Sequence, residues 1–112
     1  MESIKVYQLI YAPQVVEELK KIKQYIYDIS QSEITAKNKI EEIVQNIKIL
    51  TIFPEAGFNA DEKFGKQISP GILTRGMPLK KDFIVLYNID TNNLTVHITN
   101  LFSKKSDYLN LL

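Results

Sequence analysis

The sequence contains no cysteine, a single histidine and a single arginine. Without cysteine there is no disulfide framework, no thiolate nucleophile and no thiolate metal site. That is compatible with a reducing cytoplasm. With His97 alone, metal binding would need clustered carboxylates, and Asp61-Glu62 is a poor pair for it, so no metal or cofactor is expected. No apolar run approaches the ~20 residues of a membrane span. The opening "MESIKVYQLIYAP" has an acidic second residue and no long apolar core, so it does not read as a signal peptide. No nucleophile elbow surrounds any serine, and no glycine-rich phosphate loop is present. Repeats, linkers and low-complexity tracts are also lacking.

What is present is ordinary for one globular domain, expected over 1–112: 112 residues, 45% hydrophobic and 24% charged. The net charge of +1 is unevenly spread. Residues 1–62 hold seven lysines against ten acidic residues, and residues 63–112 hold six lysines and Arg75 against three aspartates. Such asymmetry is either chance or a hint of a polyanionic partner.

"IKVYQLIY" at 4–11 predicts a first strand. Pro13 suits the first turn of a helix, although Ala12 stands where a capping side chain would be better. Val15, Val16, Leu19, Ile22, Ile26 and Ile29 have helical spacing and predict one buried stripe. Ser32 is a fair N-cap for a second helix, along which Ala36, Ile40, Ile43, Ile47 and Leu50 alternate steps of four and three. A short turn makes the two an antiparallel hairpin. Pro54 and Gly57 in "FPEAG" stop the second helix. Residues 58–70 have no period and read as a loop. Strands follow at 72–79, 83–90 and 94–102, with "KKD" and "TNN" as turns. In the middle strand Phe83, Val85, Tyr87 and Ile89 share one face, and Ile84 and Leu86 the other. Both faces are apolar, as expected if helices cover one side and something partly covers the other. Residues 103–112 end the chain as a short helix or tail. The fold class is α+β: an N-terminal strand, a two-helix hairpin and a three-stranded antiparallel meander in one sheet.

Arg75 is the only guanidinium among thirteen lysines. Its rigid fork of donors suits a phosphate or carboxylate, or a structural ion pair. Gly76 beside it marks a bulge or a close backbone approach. Lys63 and Lys66, Lys80 and Lys81, and Lys104 and Lys105 come as pairs near the strand ends. Each pair alone is solvated surface, but together with Arg75 they could hold phosphates. Tyr108 either packs or stacks on a base. His97 shares strand alternation with Thr95, Thr99 and Leu101, a mixed face that fits a hydrogen-bonded or surface histidine.

"YAPQVVEELKKIKQYI", "AKNKIEEIVQNIKILTIFPEAG", "FIVLYNID" and "ITNLFSKKSDY" follow one another in an order and spacing that resembles the RelE/ParE toxins of bacterial type II toxin–antitoxin modules. The resemblance covers nearly the whole chain. It implies a helical hairpin on an antiparallel sheet and a cytoplasmic toxin that arrests growth, stabilises plasmids and is neutralised by a cognate antitoxin in a hetero-oligomer. Two activities are implied. RelE-like members cut mRNA on the ribosome without a metal, whereas ParE-like members inhibit DNA gyrase and catalyse nothing. For cleavage the resemblance implies Arg75 and Lys105 on the phosphate and Tyr108 orienting the RNA or assisting proton transfer, with Lys63, Lys66 and Lys104 binding nucleic acid; the lysine pairing adds Lys80 and Lys81 to that set. Phe102 stands where many members carry a histidine, and lysines stand where paired arginines are common. A third alternative is an inactive relative that only docks an antitoxin.

Overall fold

The computed structural model describes residues 4–106 and 108–112. The acidic second residue read against a leader, and Asp107, lie outside them. Helix α1 spans Pro13–Ser30 and α2 spans Glu33–Ile47. Pro13 occupies the first turn of α1, and Ala12 offers no side-chain cap. Gln31 closes α1 in a left-handed conformation, its N–H donating to the Tyr27 carbonyl. Ser32 caps α2 by accepting from the Thr35 N–H at 3.1 Å. One further 3₁₀ turn, Lys48–Thr51, extends α2 and buries Leu50. Pro54 then opens a short 3₁₀ turn that ends at Gly57.

The sheet has five strands in the order β1-β5-β4-β3-β2. They are β1 (Gln8–Tyr11), β2 (Phe58–Asn59), β3 (Arg75–Leu79), β4 (Phe83–Asp90) and β5 (Thr95–Ser103). The β3–β4–β5 meander is antiparallel, and β1 joins β5 in parallel. One face carries Leu79, Val85, Tyr87, Val96, Ile98 and Leu101 against Val15, Ile22, Ile43, Ile47 and Leu50 of the helical layer. The opposite face carries Ile84 and Leu86. It is partly covered by the short helix α3 (Ala60–Phe64) and the C-terminal 3₁₀ turn Tyr108–Leu111. The second apolar face expected from β4 is therefore real, and these two small pieces are its cover.

Four expectations are corrected. The first strand begins at Gln8 and not at residue 4, because the Tyr7 N–H leaves the ladder for the Thr51 carbonyl at 2.8 Å. The second expected strand begins at Arg75 and not at residue 72; Ile72 makes an isolated bridge to Ser69. The segment 58–70 is not all loop, since it contributes β2 and α3. The stripe on α1 is not buried throughout: Ile22 is 7% exposed, but Ile29 is 65% exposed. A bulge also shifts register between Leu86 and Tyr87, so that Leu86 faces Asn100 while Tyr87 faces Ile98. The extra residue is Thr99, whose hydroxyl donates to the Leu86 carbonyl. The bulge returns Leu101 to the helix-covered face and separates it from His97.

Candidate functional site

Arg75 opens β3 opposite Tyr87, and antiparallel partners share a face. Its side chain therefore belongs to the helix-covered side. There its Nη1 donates to the Gly57 carbonyl at 3.0 Å, while the Gly57 N–H donates to the Tyr87 hydroxyl at 2.8 Å. One peptide segment is thus held at both its carbonyl and its N–H. Burial pushes the Tyr87 phenol above its ordinary value, opposed in part by the Gly57 N–H. Gly57 must be glycine. A Cβ there would lie 2.5 Å from the Tyr87 hydroxyl and 2.6 Å from the Gly76 carbonyl. Gly76 is likewise a close approach, as a Cβ would sit 2.7 Å from the Phe58 ring. The lone arginine clamps the loop that follows α2. Among the described residues it makes no ion pair.

The C-terminal aromatic sits on the other side of the sheet. Tyr108 stacks on Phe102, with centroids 5.6 Å apart and planes 14° apart, and meets Phe64 edge-on at 6.0 Å. Phe64 meets Phe58 edge-on at 5.9 Å, and the Lys63 ammonium lies over Phe58 at 4.5 Å. Phe102 thus has a packing role. Asp61 braces the same layer by accepting from the N–H groups of Ile68 and Thr74. Lys66 follows the left-handed Gly65 and is exposed.

The other two lysine pairs converge on one rim, where the β3–β4 turn meets the end of β5. The Lys104 N–H donates to the Asp82 carbonyl and its ammonium to the Lys80 carbonyl. This rim is not purely cationic. Lys80 pairs with Glu42 at 2.7 Å, and Lys39 lies 3.6 Å from Asp82 and 3.9 Å from Glu42. The Lys80 contact is the main reason the Glu42 carboxyl is held below its ordinary value. Lys81 is exposed, and Lys105 lines a hollow beside α1.

The structure therefore brings Lys80, Lys81, Lys104 and Lys105 together. It places Lys63 against Phe58 and sets Arg75 and Tyr108 on opposite faces of the sheet. A reacting phosphate spans only a few ångströms, whereas side chains on the two faces of a sheet point apart. Sequence reading missed Glu42, Asp82 and Lys39 as counter-charges of the rim. It also missed Tyr87 as the partner of Gly57, and no local pattern links residues thirty positions apart. Among the described residues no cluster of His, Asp and Glu could hold a metal ion, and no helix is long and apolar enough to cross a membrane.

Comparison with known proteins gives a consistent picture. A family model described as the ParE toxin of type II toxin-antitoxin system, parDE, matches residues 9–108. Among solved structures, the chain is similar to one from the chromosomal ParDE toxin-antitoxin system of P. aeruginosa. The identity there is 16% and the TM-score 0.66, covering 88% of this chain and 97% of that one. It is also similar to a chain of the RelBE2 toxin-antitoxin complex from Mycobacterium tuberculosis, at 15% identity and TM-score 0.60, covering 95% and 100%. A third likeness is to the archaeal RelE-RelB complex from Pyrococcus horikoshii OT3, at 17% identity and TM-score 0.55, covering 89% and 97%. At these identities the likenesses speak for the fold. No curated protein sequence matches significantly.

Proposed function

This chain belongs to the ParE toxin family of type II toxin–antitoxin systems, and we propose that it arrests growth as a binding protein that holds DNA gyrase, not as a nuclease. The observation that carries this reading is the separation of Arg75 from Tyr108. Cleavage of RNA by its own 2′-hydroxyl needs a base, an acid and positive charge around one phosphate. Here the arginine is engaged with the Gly57 carbonyl, and the tyrosine is packed between Phe102 and Phe64 on the far side of the sheet. The remaining candidates are lysines, which supply charge without the guanidinium fork. Lys80 already has a carboxylate partner. The cognate antitoxin is the partner that neutralises the toxin, a reading supported by the ParDE and RelBE complexes among the similar structures.

A ribosome-directed alternative has one supporting observation, the convergence of Lys80, Lys81, Lys104 and Lys105 on one rim. Pulse-labelling after induction in cells without antitoxin separates the two. The gyrase reading expects DNA synthesis to fall before protein synthesis. An immediate fall in protein synthesis with DNA synthesis intact would reject it, and unimpaired growth under strong induction of folded protein would reject a toxin of either kind.

A further inference from the structure

The second face of the sheet is covered over only part of its width. Helix α3 and the C-terminal turn pack on Ile84, Leu86 and Phe102. The part formed by β1 and the start of β5 stays open at Ile10, which is 44% exposed. Tyr7, Leu9 and Tyr11 pack into the main core, so alternation turns Ile10 to the other face, beside its register partner His97. There Ile10, Ala12, Ile72, Asn88 and His97 line a hollow of about 350 Å³. A cavity of ~150 Å³ already takes a benzene ring.

The chain beside this hollow is apolar and exposed too. β1 is the last strand on its side of the sheet. The Tyr7 N–H donates to the Thr51 carbonyl at 2.8 Å, which fixes the 3₁₀ turn Lys48–Thr51 beside the start of β1. The Phe53 N–H donates back to the Ile49 carbonyl at 2.9 Å, so Ile49, Ile52 and Phe53 share one compact bend. Phe53 is 60% exposed and Val6, next to Tyr7, is 64% exposed. At roughly 150–200 Å² for a fully exposed side chain of this size, Val6, Ile10, Ile49, Ile52, Phe53 and Ile72 together present on the order of 500 Å². That lies in the upper part of the ~300–600 Å² of the largest patch on an ordinary monomer, and it is most of the ~800 Å² per partner in a standard interface. Exposed Lys48 and Glu55 stand at the two ends of the bend, and among the described residues neither makes an ion pair. The patch lies where β5 starts, at the opposite end of that strand from the lysine rim.

We propose that this surface receives a second copy of the same chain in a two-fold dimer, with Phe53 of each copy in the Ile10–Ile72 hollow of the other and Lys48 of each against Glu55 of the other. A knob and a hollow on one surface satisfy each other about a two-fold axis, because residue i then meets j and j meets i. The charge balance also fits a like partner, since a strongly acidic or strongly basic one would leave Lys48 or Glu55 facing its own sign. An aromatic anchor held on a fixed bend loses little freedom when it docks. The pairing depends on neither the gyrase nor the antitoxin reading, and it leaves the lysine rim of each copy outside the contact.

The test is sedimentation equilibrium of the purified chain over a range of concentrations. We expect the mass to rise from 12.9 kDa toward twice that value, with a dissociation constant of about 1–100 μM for an interface of this size. Phe53→Asp replaces an exposed side chain, so its melting temperature should match the parent while dimerisation weakens at least about tenfold. A charge exchange gives a second readout that needs no change in the apolar core. Lys48→Glu and Glu55→Lys should each weaken the dimer by setting like charges across the axis, more at low salt than at high salt. The two changes combined should return the dissociation constant to within about twofold of the parent, as a double-mutant cycle requires of a direct pair. A parent that stays at 12.9 kDa at every concentration overturns the proposal. So does a dimer that survives Phe53→Asp in a folded chain, or a loss in the single charge variants that the combined variant does not reverse.

Discussion

Replacing Arg75 by alanine separates a structural arginine from a phosphate-binding one. The substitution removes the 3.0 Å hydrogen bond from Nη1 to the Gly57 carbonyl. A hydrogen bond from a charged donor contributes ~1.5–3 kcal/mol, and Arg75 is only half-buried, so about 1–2 kcal/mol is expected. Tyr87→Phe acts on the same residue from the other side. It leaves the Gly57 N–H buried without its 2.8 Å partner and should cost ~1–3 kcal/mol. The two changes share Gly57, so their effects should be non-additive in a double-mutant cycle. Urea denaturation with thermal melting is the assay, and each kcal/mol should lower the melting temperature by about 4 °C at this chain length. Under conditions where the Arg75→Ala protein stays folded, growth arrest should persist. A variant with the parent's melting temperature and no growth arrest would refute the reasoning, because the guanidinium would then be acting on the target.

Gly57→Ala should be among the most damaging single changes. A Cβ 2.6 Å from the Gly76 carbonyl meets backbone that cannot step aside, so we expect a loss toward the upper end of ~1–3 kcal/mol in denaturant unfolding. Tyr108→Phe should leave both stability and growth arrest at parental levels, since the ring and not the hydroxyl makes the contacts with Phe102 and Phe64. Tyr108→Ala should cost ~1–2 kcal/mol by calorimetry, as the stacked pair and its apolar contact are lost. The Glu42–Lys80 contact predicts a pH dependence. Because the folded carboxyl lies below the ordinary 4.5, its contribution is complete above that value and is lost as pH falls through the lower folded one. Lys80→Met should flatten that acid limb of the stability curve, and a limb of unchanged slope would contradict the assignment.

The helices were legible because their apolar spacing is long and regular. The Ser32 cap and the Pro13 start are local chemistry that tertiary structure had no reason to override, whereas α2 ends before Pro54, in the 3₁₀ turn Lys48–Thr51. The two apolar faces of β4 were also legible, since alternation shows directly in "FIVLYNID". The identity of the second cover was not. A five-residue helix and a four-residue 3₁₀ turn are too short to carry a period, and the place of the helix is set by long-range contacts such as Asp61 on the Ile68 and Thr74 N–H groups. The Thr99 bulge defeated alternation in β5 for a related reason, since one extra residue exchanges the faces of everything after it. At the candidate site, residue type singled out Arg75 correctly as unusual but could not say which side of the sheet it serves. That depended on its register with Tyr87, which the local sequence does not encode. The uncovered end of the α1 stripe was hidden too, because periodicity marks an apolar face without saying where its cover stops.

The most direct measurement is a side-by-side titration of the purified chain into a gyrase supercoiling reaction and a ribosome-based translation reaction with 3′-end mapping of the mRNA. The account predicts that plasmid supercoiling is blocked, that antitoxin restores it, and that the mRNA stays intact at the same toxin concentration. Cleaved mRNA with supercoiling untouched would contradict it.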